Sequence, residues 1–532
     1  MTQTPSAEAL QLTTDVLVVG GGMAGAWAAT AAARAGARVI LVDKGYVGTS
    51  GVTATAGPGH WWVPPDPAQR EAAVSERLLR AYGLADRHWM ERILETTWQT
   101  LPTLSAHYPF PLDQAGRTYY RGLRGPEYLR ALRQQAEQAS VQILDHSPAL
   151  ELLQHDDGSI AGARGVQRQI GRAWTIRAGA VILATGGCAF RSRLLGSHNN
   201  TGDGYLMGVE AGAELSGMEF SNYHTVALAH TSQTRSASYS FADFFDVAGH
   251  ELPSGGRVDY TTSVARALLR GPVYATLART PHDLREAVPH IQPAFLLAFK
   301  RLGIDPYTQR FEVTLHGEGT VRGIGGLRVI DTACQTTVSG LYAAGDAASR
   351  ELIAGATSGG GNQNSAWALS SGVWSGRAAA ARAGALRSRA TARAQALGRA
   401  GLQPQKSAKT SVEHASHAFV RVVQDELLPY DKVMFRHGAR LEHSLARLDQ
   451  AWVELRDHAY APGSVAVREA AALVASARWS YRAALQRNES RGMHQREDFP
   501  ALDTASSRRL LVGGGDQVWT RFETSPAQEA RS

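Results

Sequence analysis

Cysteine is scarce in this chain of 532 residues, which contains only Cys188 and Cys334. Two sulfur ligands are too few for an iron–sulfur cluster, for a cysteine-rich zinc site or for a framework of disulfides. The composition therefore excludes a redox centre built from the protein's own thiols, and we expect no metal site. Redox chemistry in this protein would need a bound organic cofactor or a partner protein.

Long apolar segments are also missing. No apolar run approaches the roughly 18 residues that a membrane-spanning helix needs. Residues 1–12 are polar and lack the basic start and apolar core of a signal peptide. We therefore expect a cytoplasmic protein that is not integral to a membrane.

Excess charge of one sign is small, because 55 Lys and Arg against 48 Asp and Glu leave a formal net charge of +7. Spread over the whole chain, this excess gives only a weak average field. Basic residues cluster between Arg377 and Arg399 without interleaved aromatic side chains. We interpret the cluster as a solvated helix face and linker, and expect no binding of nucleic acid.

A β-α-β pattern opens the chain, whose length corresponds to about three domains. A strand over 15–19 leads into the pattern Gly20-x-Gly22-x-x-Gly25, an alanine-rich helix follows to about 35, and a second strand ends at Asp43. The glycines permit a tight turn and a close approach of a pyrophosphate to the helix N-terminus, and Asp43 can accept hydrogen bonds from ribose hydroxyls. The pattern predicts a dinucleotide site and leaves FAD and NAD open.

Two later strands also end in glycine. One, over 180–184, leads into Thr185, Gly186 and Gly187, and the other, over 340–344, leads into Gly345 and Asp346. Their separation suggests one nucleotide-binding domain that is interrupted by an insertion, which the irregular stretch at 226–322 would form. Helical spacing returns from about 412 to 488.

Four separated segments resemble the flavoprotein subunits of fumarate reductase and succinate dehydrogenase, and L-aspartate oxidase. They are Thr201-Gly202-Asp203-Gly204 with Met218-Glu219-Phe220, Gly271-Pro272-Val273-Tyr274, Leu341-Tyr342-Ala343-Ala344-Gly345-Asp346, and Glu489-Ser490-Arg491-Gly492. Arg191 and Arg193 also resemble the adenylylsulfate reductase branch. The resemblance implies an α/β fold in which a Rossmann-like FAD-binding domain is split by an inserted α+β capping domain and followed by a C-terminal helical domain. The implied boundaries are 1–225 and 323–400 for the two FAD-binding parts, 226–322 for the cap, 412–503 for the helical domain and 504–532 for a polar tail.

The resemblance also implies a cofactor, FAD. In the succinate dehydrogenase branch a histidine bonds the flavin, whereas the corresponding position here is Gly51, so we expect non-covalent FAD. The implied cofactor-binding residues are Gly20, Gly22, Met23, Ala24, Gly25, Asp43, Lys44, Thr49, Ser50, Gly51, Thr185, Gly186, Gly187, Thr201, Gly202, Asp203, Gly345, Asp346, Asn364 and Ser365.

The family's dicarboxylate site is only partly retained. His224 occupies the position of a substrate-contacting histidine, but Thr261-Thr262 and Thr357-Ser358 replace the segments that carry two arginines, and Val321 replaces a second histidine. Without these forked cations, succinate, fumarate and aspartate are not expected substrates. The candidate catalytic residues are His224, Arg257, His316 and Arg322.

These features predict an FAD-dependent oxidoreductase that transfers a hydride between a small polar substrate and flavin N5. Two other interpretations stay open. The chain can be the flavoprotein component of an electron-transfer complex with an iron–sulfur partner, or a flavin-binding protein without turnover.

Overall fold

The computed structural model describes residues 8–112, 116–120, 122–233, 236–253, 260–385, 393–402, 412–457, 465–504 and 507–524. Among the predicted site residues, Arg257 lies outside this part of the chain. The strands are β1 (Leu10–Val19), β2 (Val39–Val42), β3 (Gln142–Leu144), β4 (Ala149–His155), β5 (Ile160–Gln167), β6 (Arg172–Leu183), β7 (Leu215–Ser216), β8 (Tyr223–Leu228), β9 (Asp243–Phe245), β10 (Val273–Thr276), β11 (Phe311–Gly319), β12 (Gly326–Leu327), β13 (Leu341–Ala343), β14 (Ala394–Ala396), β15 (Leu510–Gly513) and β16 (Trp519–Phe522).

The helices follow the same chain order. They are α1 (Met23–Arg34), α2 (Pro67–Leu79), α3 (Arg87–Thr100), α4 (Gly125–Gln138), α5 (Asp203–Glu210), α6 (Tyr260–Leu268), α7 (His282–Ile291), α8 (Pro293–Leu302), α9 (Glu351–Ala354), α10 (Gly360–Ala385), α11 (Val412–Leu427), α12 (Tyr430–Val433), α13 (Gly438–Asp457) and α14 (Val465–Gln486). No helix in these described ranges is long and apolar enough to cross a membrane.

The largest sheet has the order β14-β4-β5-β6-β1-β2-β3, with β13 also paired to β6. The four strands β2, β1, β6 and β13 run parallel, and the second half of β1 is buried. Because parallel strands end at one edge of a sheet, the segments that follow β1, β2, β6 and β13 meet there. These are the segments that the sequence marks with glycine or an acid.

Helix α1 packs unusually close to α10 because small residues face each other. A Cβ atom added at Gly372 would lie 2.5 Å from the carbonyl oxygen of Ala24, and one at Gly376 would lie 2.3 Å from that of Ala28. Larger side chains at these positions would push the helices apart. The contact fixes the N-terminus of α1 against the sheet edge.

A separate antiparallel sheet, in the order β8-β11-β10-β9, forms the insertion together with α6, α7 and α8. Its strands span 223–319. In register, His316 of β11 lies beside Thr225 of β8, and Gly317 lies beside His224. The two histidines therefore lie on neighbouring strands, with an offset of one residue in the register.

The predicted polar tail after residue 503 is wrong for residues 507–524. Strands β15 and β16 form a hairpin there, and β15 pairs with β7 in a third sheet, in the order β12-β7-β15-β16. Leu510, Leu511 and Val512 are fully buried. This apolar run is too short to stand out from its polar neighbours in the sequence, and only pairing with a strand about 300 residues away reveals it.

The C-terminal helices α11, α13 and α14 pack on one another, and α14 also packs on α5 of the domain that contains the largest sheet. Inside this contact, the Arg487 guanidinium lies 2.7 Å from Oε1 of Glu219 and 2.9 Å from Oε1 of Glu489. All three side chains are almost completely buried. The pair of Arg487 with Glu219 therefore links the helical domain to the segment that precedes the cap.

Candidate active site

A cavity of about 890 Å³ lies where the carboxyl ends of the parallel strands meet the cap and the C-terminal domain. Its size is within the range of pockets that hold a cofactor or small ligand. The domain of the largest sheet, the cap and the C-terminal residues Met434, Met493 and Gln495 all contribute to its wall.

The glycine-rich turn at the start of α1 lies at one end of this cavity. Gly20 has a φ of +104°, and a Cβ atom at Gly25 would lie 1.7 Å from the carbonyl oxygen of Gly20. Gly22 precedes α1 and has no atom of the described residues within 4 Å of its Cβ position. Gly20 and Gly25 therefore allow strand and helix to pack closely, while Gly22 leaves space next to the helix N-terminus for an anionic group.

Asp43 is held rigidly at the end of β2. Its Oδ2 atom accepts a hydrogen bond from the Gly21 N–H at 2.6 Å, and its Oδ1 atom accepts from the Gly45 N–H at 2.7 Å and from the Ser50 hydroxyl at 2.5 Å. The carboxylate lines the cavity. It thus joins the glycine turn to the loop that contains Ser50.

Lys44 joins the cavity wall to the C-terminal domain. Its ammonium group lies 2.7 Å from Oδ2 of Asp203 and 3.0 Å from Oε1 of Glu469, and it donates to the Thr201 hydroxyl at 2.9 Å. Burial disfavours the cation, but the two carboxylates raise the pKa of Lys44 above its ordinary value. Lys44 therefore stays charged, and it is neutralised by acids of this chain.

Asn364 presents an unsatisfied amide to the cavity. Its Oδ1 and Nδ2 atoms are buried and have no hydrogen-bond partner among the described residues. An amide offers one acceptor and two donors, and leaving them unpaired in a buried site is costly. The position calls for a ligand that has both donors and acceptors.

His224 lines the cavity and is held by its own backbone. Its Nδ1 atom lies 2.8 Å from the carbonyl oxygen of Asn222, and its ring lies edge-on to Tyr430 with 5.8 Å between the ring centroids. A carbonyl oxygen can only accept, so Nδ1 carries the proton and Nε2 has a free lone pair. Burial lowers the pKa of His224 to about 4, which keeps the imidazole neutral near pH 7.

Arg322 lines the cavity from the loop after β11. Its guanidinium carbon lies 4.8 Å from the centroid of the Tyr223 ring. Burial disfavours the cation, but the interactions with Tyr223, Glu318 and Tyr260 raise the pKa of Arg322 above its ordinary value. The side chain therefore carries a full positive charge into the cap side of the cavity.

His316 does not line the cavity. Its Nε2 atom lies 2.8 Å from the carbonyl oxygen of Thr231, and burial lowers the pKa of the ring. Val321, Thr261, Thr262, Thr357 and Ser358 do line it. The positions where the family resemblance looks for two arginines and a second histidine therefore face the cavity with uncharged side chains.

Comparison with known proteins agrees with this geometry. Residues 15–364 match the family model described as FAD binding domain, and residues 427–523 match the model described as fumarate reductase flavoprotein C-term. The chain belongs to the fumarate reductase/succinate dehydrogenase flavoprotein family. It is an FAD-dependent oxidoreductase.

Individual relatives of the flavoprotein cover nearly its whole length. It is 30% identical to L-aspartate oxidase of Mycobacterium tuberculosis, over 95% of this chain and 96% of that protein. It is 27% identical to one of the subunits of the fumarate reductase (CoM/CoB) of Methanothermobacter marburgensis, over 94% of this chain and 96% of that protein. The solved structure of E. coli quinol fumarate reductase FrdA has a TM-score of 0.78 at 22% identity and covers 97% of both chains, which shows the shared fold.

The residues of the flavoprotein's cavity fit FAD. The turn from Gly20 to Gly25 has room at a helix N-terminus, Asp43 is fixed at the end of β2, and Asn364 has an unpaired amide. The predicted cofactor residues that line the cavity are Gly20, Gly22, Met23, Ala24, Asp43, Lys44, Ser50, Gly51, Thr185, Gly186, Asp203, Gly345, Asp346, Asn364 and Ser365.

Five other predicted cofactor residues of the flavoprotein do not line the cavity. They are Gly25, Thr49, Gly187, Thr201 and Gly202. Two of them are packed tightly: a Cβ atom at Gly187 would lie 2.4 Å from the Thr320 hydroxyl, and one at Gly202 would lie 2.3 Å from the Ser476 hydroxyl. They shape the loops that bear the lining residues.

Sequence reasoning missed several lining residues in the flavoprotein. Tyr260 starts α6 next to Thr261, and Met434, Gly492, Met493 and Gln495 come from the C-terminal domain. The segment 489–492 carried a family signal, but nothing in its sequence indicated that it faces the cavity. Such a role depends on how the domains pack.

Proposed function

We propose that this flavoprotein binds FAD non-covalently and oxidises or reduces a small polar substrate other than succinate, fumarate or aspartate. One observation carries the proposal. The cavity wall bears His224 and Arg322, while Thr261 and Ser358 stand where the related dicarboxylate enzymes would place arginines. Because forked cations are what bind paired carboxylates, their replacement by hydroxyls removes that specificity.

When FAD is bound, it supplies hydride exchange at flavin N5. In the proposed reaction, the residues of this chain bind the substrate and manage its proton. His224 keeps Nδ1–H directed at the Asn222 carbonyl, so its Nε2 is available as a proton acceptor at neutral pH. This state suits removal of a proton from a substrate that is being oxidised.

We assign the proton-accepting role to His224 and substrate binding to Arg322. His316, which bonds the Thr231 carbonyl away from the cavity, is assigned a positioning role in β11 next to the His224 strand. Arg257 lies outside the described residues, and its catalytic role stays a prediction from the sequence.

An anaerobic screen tests the proposal. The holoprotein is mixed with panels of hydroxy acids, amino acids, amines, alcohols and sulfur compounds, and loss of flavin absorbance is recorded. We expect at least one compound to bleach the flavin, and succinate and aspartate to leave it oxidised. Reduced holoprotein that is oxidised by a compound in a second panel would establish the opposite direction. Bleaching by succinate at the rate of the best substrate would contradict the proposal.

A second candidate function is that of a flavoprotein component that passes electrons to an iron–sulfur partner. Cys188 and Cys334 are both buried, and the described residues contain no cluster of metal ligands. Burial raises the pKa of the Cys334 thiol well above its ordinary value and that of the Cys188 thiol to about 12, so neither is available as a thiolate. The name of the Methanothermobacter relative marks it as one component of a larger enzyme.

Purification of the tagged chain from its own host separates these candidates. A stoichiometric brown partner, together with turnover that is lost in the isolated chain, would support the role in a complex. A yellow chain that turns over alone would support the independent enzyme. A flavin that no donor or acceptor changes in either preparation would indicate a binding protein without turnover.

A further inference from the structure

We propose that Arg322 is the anchor for a single anionic group of the substrate, and that the substrate is a monoanion with an apolar remainder, such as a monocarboxylate. The inference rests on the proposed function, since it names the substrate class of the same cavity. It is drawn from the set of groups that surround the Arg322 guanidinium.

Among the described residues, Arg322 has no ion-pair partner. Its Nε atom is buried without a hydrogen-bond partner there, and its guanidinium carbon lies 4.8 Å from the centroid of the Tyr223 ring. Glu318 also favours the cation through space. An aromatic face only partly replaces the hydration of a cation, so an anionic ligand would complete the site.

The other charges in the inner wall of the cavity are already engaged by the protein. Lys44 is paired with Asp203 and Glu469, and Asp346 is paired with Arg350. The acid of Asp43 accepts three hydrogen bonds from its own domain. Lys44 is the cation among these wall residues, and because two acids already neutralise it, it is not available to balance a second negative charge on a substrate.

Two further arginines line a different part of the wall. Arg80 pairs with Glu76 at 2.9 Å, and its side chain is 49% exposed, while Tyr82 nearby is 42% exposed. Arg77, one turn earlier in the chain, lies over the Trp61 ring at 5.8 Å. Arg80 therefore lies near solvent, where charge is screened and gives little selectivity. Arg77 is partly buried next to the buried Trp61, and burial lowers its pKa. Arg322 packs on Tyr223, the residue next to His224, and is therefore the cation that a substrate at His224 would meet.

The cap wall indicates what the rest of the substrate is. Leu284, Val288 and Ile291 of α7 line the cavity with apolar side chains. Tyr260 lies parallel to Phe244, with 5.5 Å between the ring centroids, and also faces the cavity. A second carboxylate here would meet the hydroxyls of Thr261 and Thr262 but no cation to compensate its charge. The wall therefore selects against dianions and favours a hydrocarbon or aromatic remainder.

Ligand binding to the oxidised holoprotein tests the inference without turnover. We would titrate hexanoate, adipate and hexanamide, which share six carbons but carry one, two and no negative charges. Changes in flavin absorbance and the heat of binding are the readouts. Hexanoate should bind at least tenfold more tightly than either analogue. Equal affinity of adipate and hexanoate, or no binding of hexanoate and of phenylacetate as an aromatic alternative, would overturn the inference.

Two variants locate the charge. Arg322→Gln should weaken hexanoate binding at least tenfold and leave hexanamide unchanged, and Arg322→Lys should retain part of the affinity. Arg310→Gln is the matched control, because Arg310 is an exposed cap arginine that lies 3.7 Å from the Phe245 ring centroid outside the cavity wall. It should bind hexanoate like the parent protein. Flavin content and melting temperature report whether each variant is folded.

The binding experiment and the flavin-reduction screen can fail independently of each other. Arg322-dependent hexanoate binding without any compound that reduces the flavin would support the anion site and contradict the proposed reaction. Flavin reduction by a neutral substrate, unaffected by Arg322→Gln, would support the reaction and overturn the anion site. Hexanoate binding that persists in both Arg322 variants would also overturn it.

Discussion

The Nδ1 atom of His224 lies 2.8 Å from the carbonyl oxygen of Asn222, two residues earlier in the chain. This contact fixes which nitrogen carries the proton, and burial prevents the ring from gaining a second one near neutral pH. His224 therefore differs from an exposed histidine, which titrates near pH 6.5. The difference has a measurable consequence for the pH dependence of the reaction.

We predict that kcat/KM in the oxidative direction stays level from pH 8 down to about pH 5 and falls only at lower pH. The pKa of His224 is lowered to about 4, so the neutral, proton-accepting form is present above that pH and is lost below it. His224→Gln should lower kcat by about 10²- to 10⁴-fold, the usual contribution of a general base. His230→Gln, which changes a histidine with an 88% exposed side chain, is the control and should leave the profile unchanged. An acid limb near pH 6.5 would contradict the assignment.

Two glycines in the first turn should respond differently to the same substitution. In Gly25→Ala the new methyl group would overlap the carbonyl oxygen of Gly20, at 1.7 Å, so strand and helix must separate. We expect a large loss of stability, seen as a lower melting temperature of both the flavin-free and flavin-loaded protein. In Gly22→Ala the methyl group meets no atom of the described residues within 4 Å but occupies space next to the cavity.

For Gly22→Ala we therefore expect an unchanged melting temperature without FAD and weaker FAD binding, measured by fluorescence titration of the flavin-free protein. Equal destabilisation of the flavin-free protein by both substitutions would show that the Gly22 position serves packing rather than the cofactor. Gly271→Ala is the control and should change neither property, because its Cβ position also meets no atom of the described residues within 4 Å, its φ is not positive, and it lies outside the cavity wall.

Removal of the Arg487 side-chain charge should destabilise the protein at the contact between the helical domain and the segment before the cap. Arg487 lies 2.7 Å from Glu219, and both side chains are 1% exposed or less. Arg487→Met leaves a buried carboxylate without its cation, which costs about 3–5 kcal/mol of unfolding free energy. The measurement is urea unfolding followed by circular dichroism.

Arg482→Met provides the comparison. Its pair with Asp449 is about one-third exposed on each side, so its loss should cost below about 1 kcal/mol. The double substitution Glu219→Gln with Arg487→Met should recover part of the stability, because the unpaired charge is then absent. Similar unfolding midpoints for Arg487→Met and Arg482→Met would rule out a structural role for the buried pair.

Denaturation should release the flavin. Gly51 has no side chain to bond the cofactor, and among the described residues only Gly22 Cα lies within 4 Å of its Cβ position. After acid precipitation we expect the yellow colour in the supernatant, with the mass of FAD. Flavin that stays with the precipitated chain, detected as a mass increase of the protein, would mean that another residue forms a covalent bond.

The glycine turn, Asp43 and the strands over 15–19 and 180–184 followed from the sequence alone, because each depends on a short stretch of chain. A β-strand of buried residues that ends in glycine has the same form wherever it occurs, and a helix start with three spaced glycines needs no distant partner. The dinucleotide site could therefore be predicted from local patterns, which left FAD and NAD open, whereas FAD and the family followed from the resemblance of four separated segments to known flavoproteins. The split of the nucleotide domain followed from the distance between those patterns.

Tertiary structure decided the rest, because the substrate side of the cavity is assembled from residues that are far apart in the chain. Tyr223, Tyr260 and Arg322 meet only when β8, α6 and the loop after β11 pack together, and Met493 reaches the cavity from the C-terminal domain. His316 was a candidate because it lies a few residues before Val321, the position of the family's second histidine. It contacts the Thr231 carbonyl away from the cavity, since the strand register turns it aside. The sequence by itself determined that the protein binds FAD; which charges face the substrate depends on domain packing, which no local pattern encodes.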